Sequence, residues 1–222
     1  MSAQLWFPDP STTSDVLTFA DRAARLGDGA VRLRAAGGTL ALTSAPLAPQ
    51  SLLESTPTVL GMRFVRVDPE LECDLVVDAA SLTIGDDPRA VVLPDSAVTA
   101  PWAGVSPPRG GWVEESSIEA ATLVSRAQWG IAAVAEAVPE AAGEDVVRLV
   151  RAQVWGEADG ELGQLPRGVA FAAFALGFIA GGETAAVRRS GPWTRITLQR
   201  GHVLTRTRVH TGLTEVRATG VA

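Results

Sequence analysis

Ala30-Val31-Arg32-Leu33-Arg34-Ala35-Ala36-Gly37-Gly38-Thr39-Leu40-Ala41-Leu42 reads as an antiparallel hairpin. Side chains alternate with period two on both arms, the signature of strands with one buried face. Gly37-Gly38 suits a primed two-residue turn, which needs positive φ. In that register Leu33 opposes Leu42 on one face, and Arg32 and Arg34 point to the other. Working outward, further strands are predicted at 58–67, 73–78 and 90–93, and a short one at 4–7. Between that first strand and the hairpin, Asp9 to Ser14 offers several helix caps. The helix runs to about Leu26, with Val16, Phe19, Ala20, Ala23 and Leu26 on one face. Asp21 and Arg25 form an i,i+4 pair, and Gly27 suits the C′ position.

The best break in the chain is Pro101-Trp102-Ala103-Gly104-Val105-Ser106-Pro107-Pro108-Arg109-Gly110-Gly111-Trp112, whose prolines and glycines exclude regular structure. Beyond it three helices are predicted. Ser116 with Glu119 resembles a capping box for the first, which ends before Pro139. The second, 144–155, turns Val146, Val147, Val150 and Val154 inward and Arg148 and Arg151 outward. Pro166 suits the N1 position of the third, 167–180, which is apolar all round, expected to be buried on every side, and ended by Gly181-Gly182. A β-meander closes the chain, with strands at 185–189, 193–199, 202–210 and 213–218. An echo of helix, glycines and hairpin occurs at Ala30-Val31-Arg32 and again at Ala186-Val187-Arg188. The fold class is α+β, with antiparallel β-meanders in both halves and three central helices, the third buried. The division is an N-terminal α+β subdomain at 1–100, a Pro/Gly/Trp loop at 101–113, and a C-terminal subdomain at 114–222 with three helices then a basic meander.

Composition removes whole mechanisms. The chain has 222 residues, 46% hydrophobic and 20% charged, enough to bury a core without a disulfide or metal staple. All 19 basic residues are arginine, and lysine, asparagine and tyrosine are absent. There is then no Schiff-base lysine, no P-loop lysine and no glycosylation acceptor. Cys73 is the single cysteine, so no intrachain disulfide forms. No basic, apolar leader opens the sequence, and its longest apolar run, 169–180, falls short of the ~20 residues of a spanning helix. A cytoplasmic home and no membrane association are expected, with no cofactor.

Charge is the strongest lead. Residues 1–183 hold 24 acids and 12 arginines; residues 184–222 hold one acid, Glu215, and seven arginines. Their nets of −12 and +6 make up the overall −6. Arg188, Arg189, Arg195, Arg200, Arg206 and Arg208 are the candidate anion or nucleic-acid contacts, with Arg217 beyond. Arginine forks match phosphates, and such asymmetry is a footprint of nucleic-acid binding. In the strand after His202, Leu204, Arg206 and Arg208 share one face. The helix that would have to enter a groove, 167–180, is nearly uncharged and cannot read base edges, so nucleic acid is not favoured. Trp102 and Trp112 flank the loop and are the candidate partner surface, although tryptophans so placed also fold back over a core.

Other constellations are weaker. His202 and His210 lie eight strand residues apart, roughly 26 Å, too far to share a metal. Glu70, Glu72, Asp74 and Asp78 read as one solvated strand face, without EF-hand spacing. No dinucleotide fingerprint and no Gly-x-Ser-x-Gly elbow is present. No catalytic or metal-ligating residue is assigned.

The stretches Ala23-Ala24-Arg25-Leu26-Gly27-Asp28-Gly29-Ala30-Val31-Arg32-Leu33 and Leu165-Pro166-Arg167-Gly168-Val169-Ala170-Phe171-Ala172-Ala173-Phe174, with Trp193 and Arg200-Gly201-His202-Val203-Leu204, resemble those of uncharacterised, alanine-rich conserved proteins of actinobacteria. The resemblance implies a source and no activity. The reading that fits is a non-catalytic cytosolic interaction or assembly protein, with a protein partner or a homo-oligomer. The alternatives are an anion or nucleic-acid binder using the late arginines, and a small-molecule binder or enzyme working without lysine.

Overall fold

The computed structural model describes residues 3–51 and 54–206. In chain order the elements are β1 (Gln4–Trp6), α1 (Pro10–Ala23), β2 (Ala30–Ala36), β3 (Thr39–Leu47), β4 (Thr58–Arg66), β5 (Cys73–Asp78), β6 (Thr83–Ile84), β7 (Ala90–Val92), β8 (Val113–Glu119), α2 (Ala120–Ala137), α3 (Glu144–Gly156), β9 (Ala158–Asp159), β10 (Leu165–Pro166), α4 (Gly168–Ala175), β11 (Thr184–Ser190), β12 (Trp193–Leu198) and β13 (Gly201–Arg206). Eight strands form one antiparallel sheet in the order β5-β2-β3-β4-β13-β12-β11-β8. Half of it comes from before the Pro/Gly/Trp loop and half from after it. The join is β4 against β13, with Leu60 opposite Leu204 and Met62 opposite His202. The opening hairpin has the expected register, Leu33 opposite Leu42, and turns through Gly37 and Gly38 at φ 55° and 76°. β1, β7 and β6 make a small separate sheet.

The helices cover one face of the large sheet. Asp9 caps α1 by accepting from the Thr12 N–H, Pro10 follows at N1, and Val16, Phe19, Ala20 and Ala23 are buried. Phe19 stacks on Phe178 with ring centroids 6.2 Å apart. α4 lies against β3, β4 and β13, and α2 packs over α4. Behind it, Arg126 of α2 and Arg167 both bond the buried Asp159 carboxylate, at 2.7 and 3.0 Å, and both guanidinia lie over Trp129. Burial pushes the Asp159 carboxyl up, but bonds from Arg167 and Arg126 outweigh it and hold it below the usual range. No helix among the described residues is long and apolar enough to cross a membrane.

Six expectations need correction. Ser116 and Glu119 do not cap a helix, because 113–119 is strand β8, paired with β11, and α2 begins only at Ala120. A free sheet edge there outcompetes the local capping signal. The helix predicted at 167–180 spans only Gly168–Ala175, and Pro166 belongs to β10 rather than to its first turn. It ends at Gly177, φ 68°, in a Schellman motif: Phe178 N–H donates to Ala173 O and Gly177 N–H to Phe174 O. Gly181-Gly182 therefore lies beyond its end. Nor is α4 buried all round, since Phe174 is exposed. On α3, Val146 points to solvent, and Trp155 at the far end is the buried anchor. The strands predicted at 202–210 and 213–218 extend outside the described residues.

Trp155 stacks on Phe171, centroids 4.4 Å apart, and its ring edge lies where a side chain on Gly130 of α2 would project. Gly130→Ala should therefore destabilise the protein by about 1–3 kcal/mol through overpacking, despite the ~1 kcal/mol of helix propensity that alanine contributes. Chemical denaturation reads the sign, and a stabilised variant would refute this packing.

Candidate ligand-binding cleft

Period-two alternation sends the other half of the sheet's side chains to the face without helices. Arg32 and Arg34 of β2, Leu60, Met62 and Phe64 of β4, Arg195 of β12, and His202 and Leu204 of β13 emerge there. The loop from Pro101 to Trp112 crosses this face as a strap. Trp102 Nε1 donates to Asp28 Oδ2 at 2.8 Å and is buried in a small second core with Leu60, Trp193 and Leu204. Arg32 Nη1 donates to the Ala103 carbonyl at 2.6 Å and the Ser106 hydroxyl at 3.1 Å. At the far end Ser190 Oγ donates to the Gly110 carbonyl and Trp112 Nε1 to the Pro108 carbonyl, both at 3.2 Å.

Between strap and sheet lies a cleft of about 430 Å³, within the range of small-molecule sites. Among the described residues its lining contains Arg32, Arg34, Arg109, Arg195 and His202 and no acid, in a chain whose net charge is −6. Arg32 is engaged: its fork grips both Asp74 oxygens at 2.7 Å, and these bonds hold the Asp74 carboxyl below its usual range. Arg34 reaches the same carboxylate at 3.7 Å.

Arg195 differs. It sits across from Leu204 on one side and Arg188 on the other. Arg188 is paired with Glu114 at 2.7 Å. Among the described residues Arg195 has no ion pair, and its Nε is shielded from solvent with no hydrogen-bond partner. Its guanidinium lies 4.4 Å from the centre of the Trp112 ring. Burial and the Arg188 charge both lower its proton affinity. The diagonal neighbour on the same face is His202, whose Nδ1 lies 3.2 Å from Thr197 Oγ1 and whose ring meets Phe64 edge-on at 5.6 Å. Burial first, then the Arg195 and Arg188 charges, push its pKa down to about 4. The imidazole is thus neutral near pH 7.

The remaining candidates scatter. Arg188 and Arg189 form ion pairs with Glu114 and Glu115 of the edge strand β8. Arg200 lies on the helical side, lining a separate hollow of about 320 Å³ with Arg22, Arg63 and Asp15. Arg206 is exposed at the end of β13, and Arg208 lies outside the described residues, as does His210. Trp102 and Trp112 come together with Arg195 at one site. Among the described residues no group of three His, Cys, Asp or Glu side chains could hold a metal ion. Sequence reasoning passed over Met62, Phe64 and the role of Arg32. The alternation around Leu33 did put Arg32 and Arg34 on a shared face, but nothing local places that face beside β13.

The fold is an α+β chain with a cationic, aromatic-walled cleft on the face of its sheet. Residues 1–104 match a domain of unknown function (DUF8010), and residues 107–210 match a second (DUF8185). No curated protein sequence matches the chain. Solved structures that resemble it include Caulobacter crescentus pol III beta, with 12% identity, 92% of this chain and 65% of that chain covered, and a TM-score of 0.48. Another is a DnaN sliding clamp (DNA polymerase III subunit beta) from Bartonella birtlesii, with 12% identity, 96% and 66% coverage, and a TM-score of 0.48. The chain spans about two thirds of the length of those proteins. Similarity at this level does not extend to function.

The neutral His202 makes a pH prediction. An unfolded histidine titrates near 6.5, so between about pH 6.5 and pH 4 the unfolded chain binds a proton that the folded chain refuses. Stability should therefore fall as pH drops through that window, by at most about 3 kcal/mol less what partial exposure screens. His202→Gln should flatten the slope in urea titrations at stepped pH. An unchanged slope would mean that His202 is not held neutral.

Proposed function

We propose that this chain is a non-catalytic binding protein that takes an anionic ligand in the cleft beneath the strap. The observation that carries the reading is Arg195, which among the described residues is a cation without an acid partner, its Nε buried and unbonded, in a cleft whose described lining has no acid. A buried donor without a partner costs about 1–3 kcal/mol, and each such group in a folded protein calls for an explanation. What an anion would supply is the counter-charge that Arg195 lacks among the described residues, with Nε left as it is. It would engage the terminal nitrogens and offset the repulsion from Arg188 across the strand.

Trp112, packed on the guanidinium, restricts its rotamers and lowers the local dielectric, which strengthens a charge-assisted hydrogen bond. Duplex nucleic acid is less well served, because two of the late arginines, Arg188 and Arg189, are already paired with carboxylates.

Ligand-observed NMR at low salt with mixtures of carboxylates, phosphates, sulfonates and matched neutral compounds tests this. Anions should bind selectively, and Arg195→Gln should weaken them roughly 10–100-fold. Arg25→Gln, which alters an exposed pair on α1, should leave binding unchanged. Equal binding of neutral compounds, or an Arg195→Gln protein that binds as before, would overturn the proposal.

A further inference from the structure

We propose that the ligand is a small organic monocarboxylate with an apolar body; this rests on the anion-binding reading above and narrows it to one chemical class. Three features point the same way.

The first is the donor set. Arg195 contributes one planar fork, the geometry that matches a carboxylate edge-on. The other cation deep in the cleft, Arg32, already holds both oxygens of Asp74 and two strap oxygens. The floor is the middle of an antiparallel sheet, where β3, β4, β13 and β12 hydrogen-bond one another. Those amides are engaged in the ladder, so the floor has no nest of backbone N–H groups for a third oxygen. Arg109 is a second unpaired cation of the lining among the described residues, but it is exposed on the strap. At the sheet floor one unpaired fork balances one negative charge, and a phosphate dianion would bring there an oxygen and a charge without a counterpart.

The second feature is the wall. Met62 and Phe64 pave the floor beyond Arg195, the buried Leu60 and Leu204 back the same lining, and Trp112 covers the guanidinium. Such a surface favours alkyl or aryl groups, and a polar tail there would lose its water without gaining hydrogen bonds.

The third is enclosure. The strap is fastened to the body of the protein at Trp102, Ala103 and Gly110. The space of about 430 Å³ beneath it suits one compact molecule. A polypeptide end would bring a train of N–H and C=O groups against apolar side chains and strands already paired, where they would lose water without gaining partners. Free carboxylate is therefore the source chosen over a protein C-terminus.

Isothermal titration of the full chain with decanoate, 4-phenylbutanoate, the amide of each, phenylpropyl phosphate, and an N-acetylated tripeptide of leucines with a free C-terminus tests the class. At least one carboxylate should bind, its amide about 10–100-fold more weakly, and the phosphate and tripeptide more weakly than the carboxylate. Arg195→Lys retains the charge and loses the fork, so it should weaken the carboxylate about tenfold or more while binding stays salt-sensitive. Circular dichroism and melting of the variant establish that it is folded. If the phosphate or the tripeptide binds more tightly than every carboxylate, the class is wrong and the anionic cleft survives. If the amides bind as well as the acids, or nothing binds, both this inference and the anion-binding reading fall.

Discussion

The pairing of β4 with β13 joins residues 58–62 to residues 202–206, across some 140 positions of chain. Every strand on either side hangs from that seam, because the hairpins that flank it are local and would otherwise form two small four-stranded sheets. The seam also sets the two faces. Once Leu60 faces Leu204 and Met62 faces His202, alternation sends Val59, Gly61 and Val203 toward the helices and Leu60, Met62, His202 and Leu204 toward the strap. Gly61 has no side chain because Leu176, at the end of α4, occupies the space. Helix packing and cleft lining are thus two consequences of one register.

The cleft gathers contributions that are weak when taken singly. Arg32 comes from the first hairpin, Arg195 and His202 from the closing meander, and the roof from the loop between the halves. Asp74 absorbs the charge of Arg32 and Arg34, and Glu114 that of Arg188. Arg195 is left as a cation beside a ring, and its field together with burial keeps His202 neutral. An anion entering there would meet a preorganised donor rather than one that must first shed a partner.

The elements legible in the sequence were those set by neighbours along the chain. The Gly37-Gly38 turn, the Asp9 cap and the 73–78 strand appear where local chemistry puts them. The failures share a cause. Ser116 and Glu119 carry a sound capping pattern, yet β11 offers seven residues of unpaired edge, and a ladder of backbone hydrogen bonds outweighs one cap. The apolar run at 167–180 has no internal stop before Gly177, and that glycine ends α4 through a positive φ next to Arg22, whose Nη1 bonds the Leu176 carbonyl. A distant side chain at the helix end is invisible to periodicity.

The sequence by itself determined the chemistry that is available: arginine as the sole strong cation, no lysine, one cysteine, two histidines, and a basic end on an acidic chain. It determined the hairpins too, because turn geometry and alternation act over a few residues. Only the tertiary structure decided where each described late arginine lies and what it meets. Seven late arginines look equivalent in a string, but carboxylates from β8 neutralise Arg188 and Arg189, a turn carries Arg200 to the other face, and strand register sets Arg195 beside Trp112. Charge is a property of composition, whereas an unpaired charge is a property of what the fold places within 4 Å of it.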